Sequence, residues 1–213
     1  MLAYQRDFFS LAERCGVLSF GEFTLKSGRQ SPYFFNLGKI SSGGAMQALA
    51  AAYAAAILER GLSFDMLFGP AYKGIPLVTA VALALADRGQ DLPYAFNRKE
   101  TKDHGEGGNI VGAPLTGRVL ILDDVLTAGT ALREAIALIR AAGATPAAAL
   151  LAFDRQERGR GTQSTVVELA AEQQLDVHAL VGLSDLQAWL AEQGRSEDQS
   201  RIKAYREAYG MNQ

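Results

Sequence analysis

Short apolar runs alternate with helix-period segments along most of this chain, and that alternation limits the fold more than any other feature. Phe64 to Phe68, Pro93 to Phe96, Arg118 to Leu122, Ala147 to Phe153 and Val177 to Val181 read as strands. Ile75 to Ala86, Thr130 to Ala142 and Ser164 to Gln174 read as helices, the second of them stopped by Gly143. Strands apolar at successive positions are buried on both faces, and the intervening helices supply the cover, so the expected class is α/β with a mainly parallel sheet. Upstream, Phe8, Leu11 and Ala12 predict a helix over roughly residues 3 to 15, and Met46, Leu49, Ala50, Tyr53, Ile57 and Leu58 predict a second, buried one ending at Gly61. Glu22 to Ile40, rich in Thr, Phe and Tyr around Ser27 to Pro32, reads as a hairpin with a longer loop. Ser184 and Gln187 form a capping-box pattern for a helix over Asp185 to Glu192, and a last helix is expected over Gln199 to Tyr209. Lys99 to Pro114, charged and Gly-rich, is the candidate mobile segment.

At 213 residues one domain is expected over residues 1–213. Lys and Arg number 21 against 23 for Asp and Glu, a formal charge of -2, which disfavours a general nucleic-acid coat. Met1 to Ser10 carries Arg6 and Asp7 and lacks the apolar core of a signal peptide, while the Ala-rich stretch Ala45 to Leu58 is interrupted by Gln47 and too short to span a bilayer. Cys15 is the only cysteine, which excludes an intramolecular disulfide and fits a reducing, cytoplasmic setting. Neither a membrane nor a nucleic acid is expected as a partner, and neither Cys15 nor Trp189 has an expected role beyond packing.

Ligands of parallel α/β sheets bind at the carboxyl ends of the strands. One such junction runs Val119-Leu120-Ile121-Leu122-Asp123-Asp124-Val125-Leu126-Thr127-Ala128-Gly129-Thr130-Ala131. A phosphate fits there: the helix N-terminus offers unpaired N–H groups, Thr127 and Thr130 offer hydroxyls, and Gly129 permits close backbone approach. Two carboxylates beside a phosphate make sense when they accept hydrogen bonds from a sugar carrying it, or meet its magnesium. Neither a P-loop nor a dinucleotide-binding glycine motif is present. The thirteen residues resemble the 5-phosphoribosyl 1-pyrophosphate (PRPP) fingerprint of the type I phosphoribosyltransferases: four apolar residues, two acids, then Thr-x-Gly-Thr. The resemblance implies that family's fold, a mainly parallel sheet flanked by helices with a small N-terminal hood over about residues 1–40. It also implies that Asp123 and Asp124 hold the ribose hydroxyls, while Val125, Leu126, Thr127, Ala128, Gly129, Thr130 and Ala131 hold the 5-phosphate.

Arg98-Lys99-Glu100-Thr101-Lys102-Asp103-His104-Gly105-Glu106-Gly107-Gly108-Asn109 has the residue types of a cationic, Gly-hinged lid over a leaving pyrophosphate. Its order resembles the catalytic loop, here about residues 98–114, of the orotate phosphoribosyltransferases. That resemblance implies a homodimer in which Lys102, the main catalytic cation, acts with Arg98 and His104 across the interface, while Lys99 serves its own chain. Gly69-Pro70-Ala71-Tyr72-Lys73-Gly74 matches the family's pyrophosphate loop, with Tyr72 and Lys73 on PRPP and often a non-proline cis peptide. In the hairpin, Phe34 must point opposite to Tyr33 and Phe35, so one face is core and the remaining ring is free for a flat pyrimidine. The family's hood carries over Lys26 as a PRPP or orotate contact, Phe34 and Phe35 as the base site, and Thr127 as a further orotate contact. Arg155, after the strand Ala147 to Phe153, matches the Arg whose guanidinium fork suits the orotate carboxylate.

The implied reaction is orotate plus PRPP giving orotidine 5-phosphate and pyrophosphate, the penultimate step to UMP. Magnesium is implied as cofactor, held mainly through PRPP with Asp123 and Asp124 nearby and no direct protein ligand. A phosphoribosyltransferase for another base, or a PRPP-sensing regulator without catalysis, are the alternatives. The hood and Arg155 weigh against the first, the complete cationic loop against the second. A fused decarboxylase domain is not expected at this length.

Overall fold

The computed structural model describes residues 1–25, 27–102, 108–126, 129–159 and 161–211, the side chains of 100–102 and 108 excepted. Helix α1 (Ala3–Arg14) leads into the antiparallel hairpin β1 (Leu18–Thr24) and β2 (Gln30–Phe35), and a 3-10 turn (Leu37–Lys39) precedes α2 (Gly43–Glu59). Then follow β3 (Met66–Gly69), α3 (Gly74–Ala86), β4 (Tyr94–Lys102), β5 (Gly108–Gly112), β6 (Arg118–Asp123) and α4 (Thr130–Ala141). The chain continues through β7 (Thr145–Asp154), α5 (Thr165–Gln173), β8 (Asp176–Gly182), α6 (Leu183–Glu192) and α7 (Ser196–Tyr209). Strands β3 to β8 form one sheet in the order β5-β4-β3-β6-β7-β8, parallel throughout except where β5 pairs with β4.

The apolar strands are read on both faces, as their composition requires. In β6, Val119 and Ile121 pack with Leu132, Ile136 and Ile139 of α4 and Leu169 of α5. Leu120 and Leu122 face the other way, into the layer made by α1, α2, α3, α6 and α7. Each of these side chains is fully buried, worth about 1.5–3 kcal/mol apiece, so a polar residue at alternate positions would cost stability on either face. The alanines of α2 let it lie between α1 and α3, and its first turn is capped by Ser42, whose Oγ accepts from the Ala45 amide at 3.3 Å. Trp189 stacks on Phe9 at 5.3 Å.

Two local expectations are corrected, and the candidate mobile segment is flanked by paired strand. The capping box at Ser184 and Gln187 does not form: β8 runs straight into α6 at Leu183, and the Asp185 carboxylate reaches back to accept from the Gly182 amide at 2.8 Å. The last helix begins at Ser196 rather than Gln199, its start pinned by Arg195, which bridges Asp198 at 2.6 Å and Glu13 at 2.5 Å. The charged segment after Phe96 is in large part strand, with β4 continuing to Lys102 and β5 pairing against it through Phe96 with Val111 and Asn97 with Ile110.

The hood sits over the end of β7 through aromatic contacts. Phe35 stacks on Phe153 at 4.9 Å, and Tyr33 meets Phe153 and Tyr205 edge-on, both at 5.9 Å.

Candidate active site

Strands β3 and β6 lie side by side, yet the chain leaves β3 toward β4 on one flank while the sheet continues from β6 to β7 on the other. The carboxyl ends of β3 and β6 therefore bracket a crevice at a topological switch point, where open α/β sheets bind ligands.

The first wall is the turn from Gly69 to Gly74. Its two glycines touch: a Cβ on Gly74 would lie 2.7 Å from the Gly69 carbonyl carbon, and one on Gly69 would collide with the Gly74 carbonyl and come within 2.8 Å of the Val78 Cβ. The Ala71–Tyr72 peptide is cis, and the Ala71 amide donates to Asn97 Oδ1 at 2.9 Å. Tyr72 stands 64% exposed, and the Lys73 ammonium forms an ion pair with Asp124 across the crevice. Gly69→Ala should overpack this turn by about 1–3 kcal/mol and displace Tyr72 and Lys73. A lower Tm is the expected result, and a wild-type Tm would refute the close-packing argument.

The second wall follows β6. Asp123 is buried, its carboxylate accepting from the Asp124 amide at 2.9 Å and its carbonyl oxygen from the Tyr53 hydroxyl at 2.7 Å. Val125 and Leu126 pack into the two cores, so what these two residues offer a ligand is backbone. Gly129 adopts φ 73°, and a Cβ there would meet Leu169 Cδ1 at 2.6 Å. Helix α4 starts at Thr130 without a side-chain cap, with Thr130 and Ala131 exposed, which leaves its first N–H groups open to an anion. Thr127 and Ala128 lie outside the described residues.

Burial, and after it the Asp124 charge, push the Asp123 carboxyl up to about 7, against the opposing pull of the Asp124 amide and Lys73. A carboxyl raised above its unfolded value stabilises the fold at acid pH, and that contribution is lost as pH rises through the folded pKa. Asp123→Asn should therefore melt higher than wild type by a few degrees at pH 8, with the gap closing toward pH 4. Matching melting curves for Asp123→Asn and wild type at pH 8 would overturn this.

The remaining walls come from the hood and the ribbon. Arg155 follows β7 on the same sheet edge, stacked 4.5 Å over the Tyr33 ring and bonded to Glu157. Phe34 is 40% exposed and lies 5.5 Å from Phe23, on the face opposite to Tyr33 and Phe35, whose rings belong to the core contacts around Phe153. Arg98 is half-buried, and Lys99 holds its ammonium 5.1 Å over the Tyr72 ring. Neither makes a salt bridge to a described residue. Lys26, His104 and the side chain of Lys102 lie outside the described residues.

A family model, the phosphoribosyl transferase domain, matches residues 36–187. An orotate phosphoribosyltransferase of Thioalkalivibrio sulfidiphilus is 56% identical over 99% of this chain and all of its own, and one of Saccharophagus degradans is 54% identical over the same shares. The crystal structure of orotate phosphoribosyltransferase from Francisella tularensis superposes with a TM-score of 0.87 at 40% identity, covering 95% of this chain and 98% of that one. The chain belongs to the orotate phosphoribosyltransferase family. It is thus a pentosyltransferase of pyrimidine biosynthesis.

In this orotate phosphoribosyltransferase, several residues that hold the candidate site in place carry little signal in the sequence. Tyr53 props the acid pair, and the signal was a hydroxyl on an otherwise alanine-rich buried helix, since a buried Tyr needs a partner for its tip. Asn97 secures the turn before Tyr72 and had no local signal, because its partner lies on another strand. Glu157 and Tyr205 around Arg155 were equally invisible: the first reads as one charge in a charged run, the second as one aromatic of a helix.

Proposed function

We propose that this enzyme, as a cytoplasmic homodimer formed from one domain per chain, joins N1 of orotate to C1 of PRPP with inversion. The C1–oxygen bond to pyrophosphate breaks as the N1–C1 bond forms, releasing pyrophosphate and orotidine 5-phosphate. Asp123 and Asp124 accept the ribose hydroxyls, and the loop from Val125 to Ala131 receives the 5-phosphate on its N–H groups. Tyr72 and Lys73 take the pyrophosphate. The ion pair between Lys73 and Asp124 suits an exchange on binding, Lys73 passing to phosphate oxygens while Asp124 gains hydroxyl donors.

Orotate N1 is already acidic, so the work lies in stabilising charge on the departing pyrophosphate. Lys102, Arg98 and His104 do so from the neighbouring subunit, and Lys99 from its own chain. The position of Lys99 over its own Tyr72 ring supports that division. Lys26, Thr127, Phe34 and Phe35 seat the base, Phe34 offering the free ring and Phe35 its backbone, since its ring is held on Phe153, and Arg155 receives the orotate carboxylate. Among the described residues no three His, Cys, Asp or Glu gather as a metal cage. Two adjacent carboxylates instead fit magnesium held chiefly by PRPP oxygens and water. Bound in that way, magnesium supplies positive charge to the pyrophosphate.

The observation that carries this reading is the meeting, on one sheet edge, of the acid pair, Lys73 and a guanidinium under an aromatic hood. Orotate absorbance, followed after mixing the protein with orotate, PRPP and magnesium, tests it beside uracil, hypoxanthine and adenine. Loss of orotate with pyrophosphate release is expected. Turnover of another base alone would overturn the base-site roles, and absence of turnover would overturn the catalytic ones.

A further inference from the structure

Arg155 is held on three sides. Its Nε donates to Glu157 Oε1 at 2.6 Å, its Nη2 reaches the Ser31 and Tyr205 hydroxyls at 3.4 Å each, and its guanidinium carbon sits 4.5 Å over the Tyr33 ring. Glu157 is shared: its other oxygen accepts from Arg29 Nη1 at 3.0 Å, and Oε1 also accepts from the Tyr205 hydroxyl at 2.7 Å. The side chains of Arg155 and Glu157 are only 15% and 12% exposed. Three parts of the fold meet here: the hood supplies Arg29, Ser31 and Tyr33, the segment after β7 supplies Arg155 and Glu157, and α7 supplies Tyr205.

Two features of this cluster bear on recognition. Glu157 occupies Nε of Arg155 and the Ser31 and Tyr205 hydroxyls occupy Nη2, whereas among the described residues Nη1 makes no hydrogen bond and is left for a second carboxylate. Glu157 alone would cancel the charge of Arg155, and Arg29 on its other oxygen offsets that cancellation. A guanidinium on a flexible stem loses affinity if it must be ordered at the moment of binding, and here the ordering is complete beforehand.

We infer that Glu157 is a positioning residue for the substrate carboxylate: it sets the plane of Arg155, Tyr205 holds Glu157 in turn, and Arg29 preserves the positive charge of the pocket. This rests on the reading of Arg155 as the orotate carboxylate partner. Its test is steady-state kinetics on Glu157→Gln and Tyr205→Phe, with Arg155→Ala as reference, and the binding of orotate compared with that of its carboxamide. Glu157→Gln should raise the KM for orotate about tenfold, the effect of losing a charged hydrogen bond, while KM for PRPP stays at the wild-type value. The preference for orotate over the carboxamide should shrink, and Tyr205→Phe should move the same quantities less far.

A merely structural role would raise both KM values together and leave the carboxylate preference alone, and that result overturns the inference. So does a wild-type orotate KM in both variants while Arg155→Ala raises it. If Arg155→Ala itself leaves orotate binding unchanged, the reading beneath falls and the inference with it. Should Glu157→Gln fail to fold, Tyr205→Phe decides between these outcomes.

Discussion

Lys102→Ala is expected to lower kcat by about 10²–10³-fold, the loss seen when one donor to a developing oxyanion is removed, with Tm unchanged. As the C1–oxygen bond breaks, negative charge accumulates on the pyrophosphate, and a cation aimed there binds the transition state more tightly than the ground state. The loss should therefore fall on kcat, with KM for PRPP little altered. Lys102 ends β4, where its backbone pairs with Gly108 at the edge of the sheet. If it acts across a dimer interface, mixing Lys102→Ala subunits with Asp124→Asn subunits restores activity. Each hybrid dimer has one site with its own acid and the neighbour's lysine, which by symmetry gives about a quarter of wild-type activity in an equal mixture. A near-normal kcat in Lys102→Ala would remove the residue from catalysis. Two inactive variants that stay inactive when mixed would refute the shared site.

Phe153→Ala should destabilise the fold by about 3–5 kcal/mol, the range for deleting a buried aromatic, and lower Tm by about 10 °C for a chain of this size. Phe153 has no exposed surface and is the ring on which the hood rests, stacked by Phe35 and met edge-on by Tyr33. The cavity opens beside Tyr33, on whose ring Arg155 stacks, so KM for orotate should rise along with the loss of stability. Phe34→Ala is the contrast: its ring is exposed, so stability should change by less than about 0.5 kcal/mol while orotate binding weakens. Thermal denaturation of the two variants separates the roles. A Phe153→Ala protein that melts near wild type would show that the hood is held by something else.

The legible parts of this fold were those whose information is local. Val119 to Leu122 are apolar at every position, a short run between turn signals that fits a strand covered on both faces, and the structure sends Val119 and Ile121 to one core and Leu120 and Leu122 to the other. The opposition of Phe34 to Tyr33 and Phe35 follows from strand geometry alone. Misreadings arose where a local pattern competed with a distant partner. Ser184 and Gln187 have capping-box spacing, but the end of β8 decides where the helix begins, and Asp185 takes the cap. The pairing of β5 with β4 inside Lys99 to Pro114 likewise had no local signal, because each strand supplies the other's partner.

By itself the sequence determined the chemistry on offer: an acid pair and a Thr/Gly loop between a buried strand and a helix, a cationic segment, an aromatic hairpin, and an Arg after a strand. Spacing along the chain carries that information, because each motif is a contiguous run. Only the tertiary structure decided the condition in which these groups stand. Asp123 has its proton affinity raised by burial and by its neighbour, Lys73 is engaged by an acid 51 residues away, and Arg155 is framed by a carboxylate that also binds Arg29, 128 residues upstream. Burial and charge pairing depend on what the fold brings within a few ångströms, and no run of neighbouring residues contains that distance.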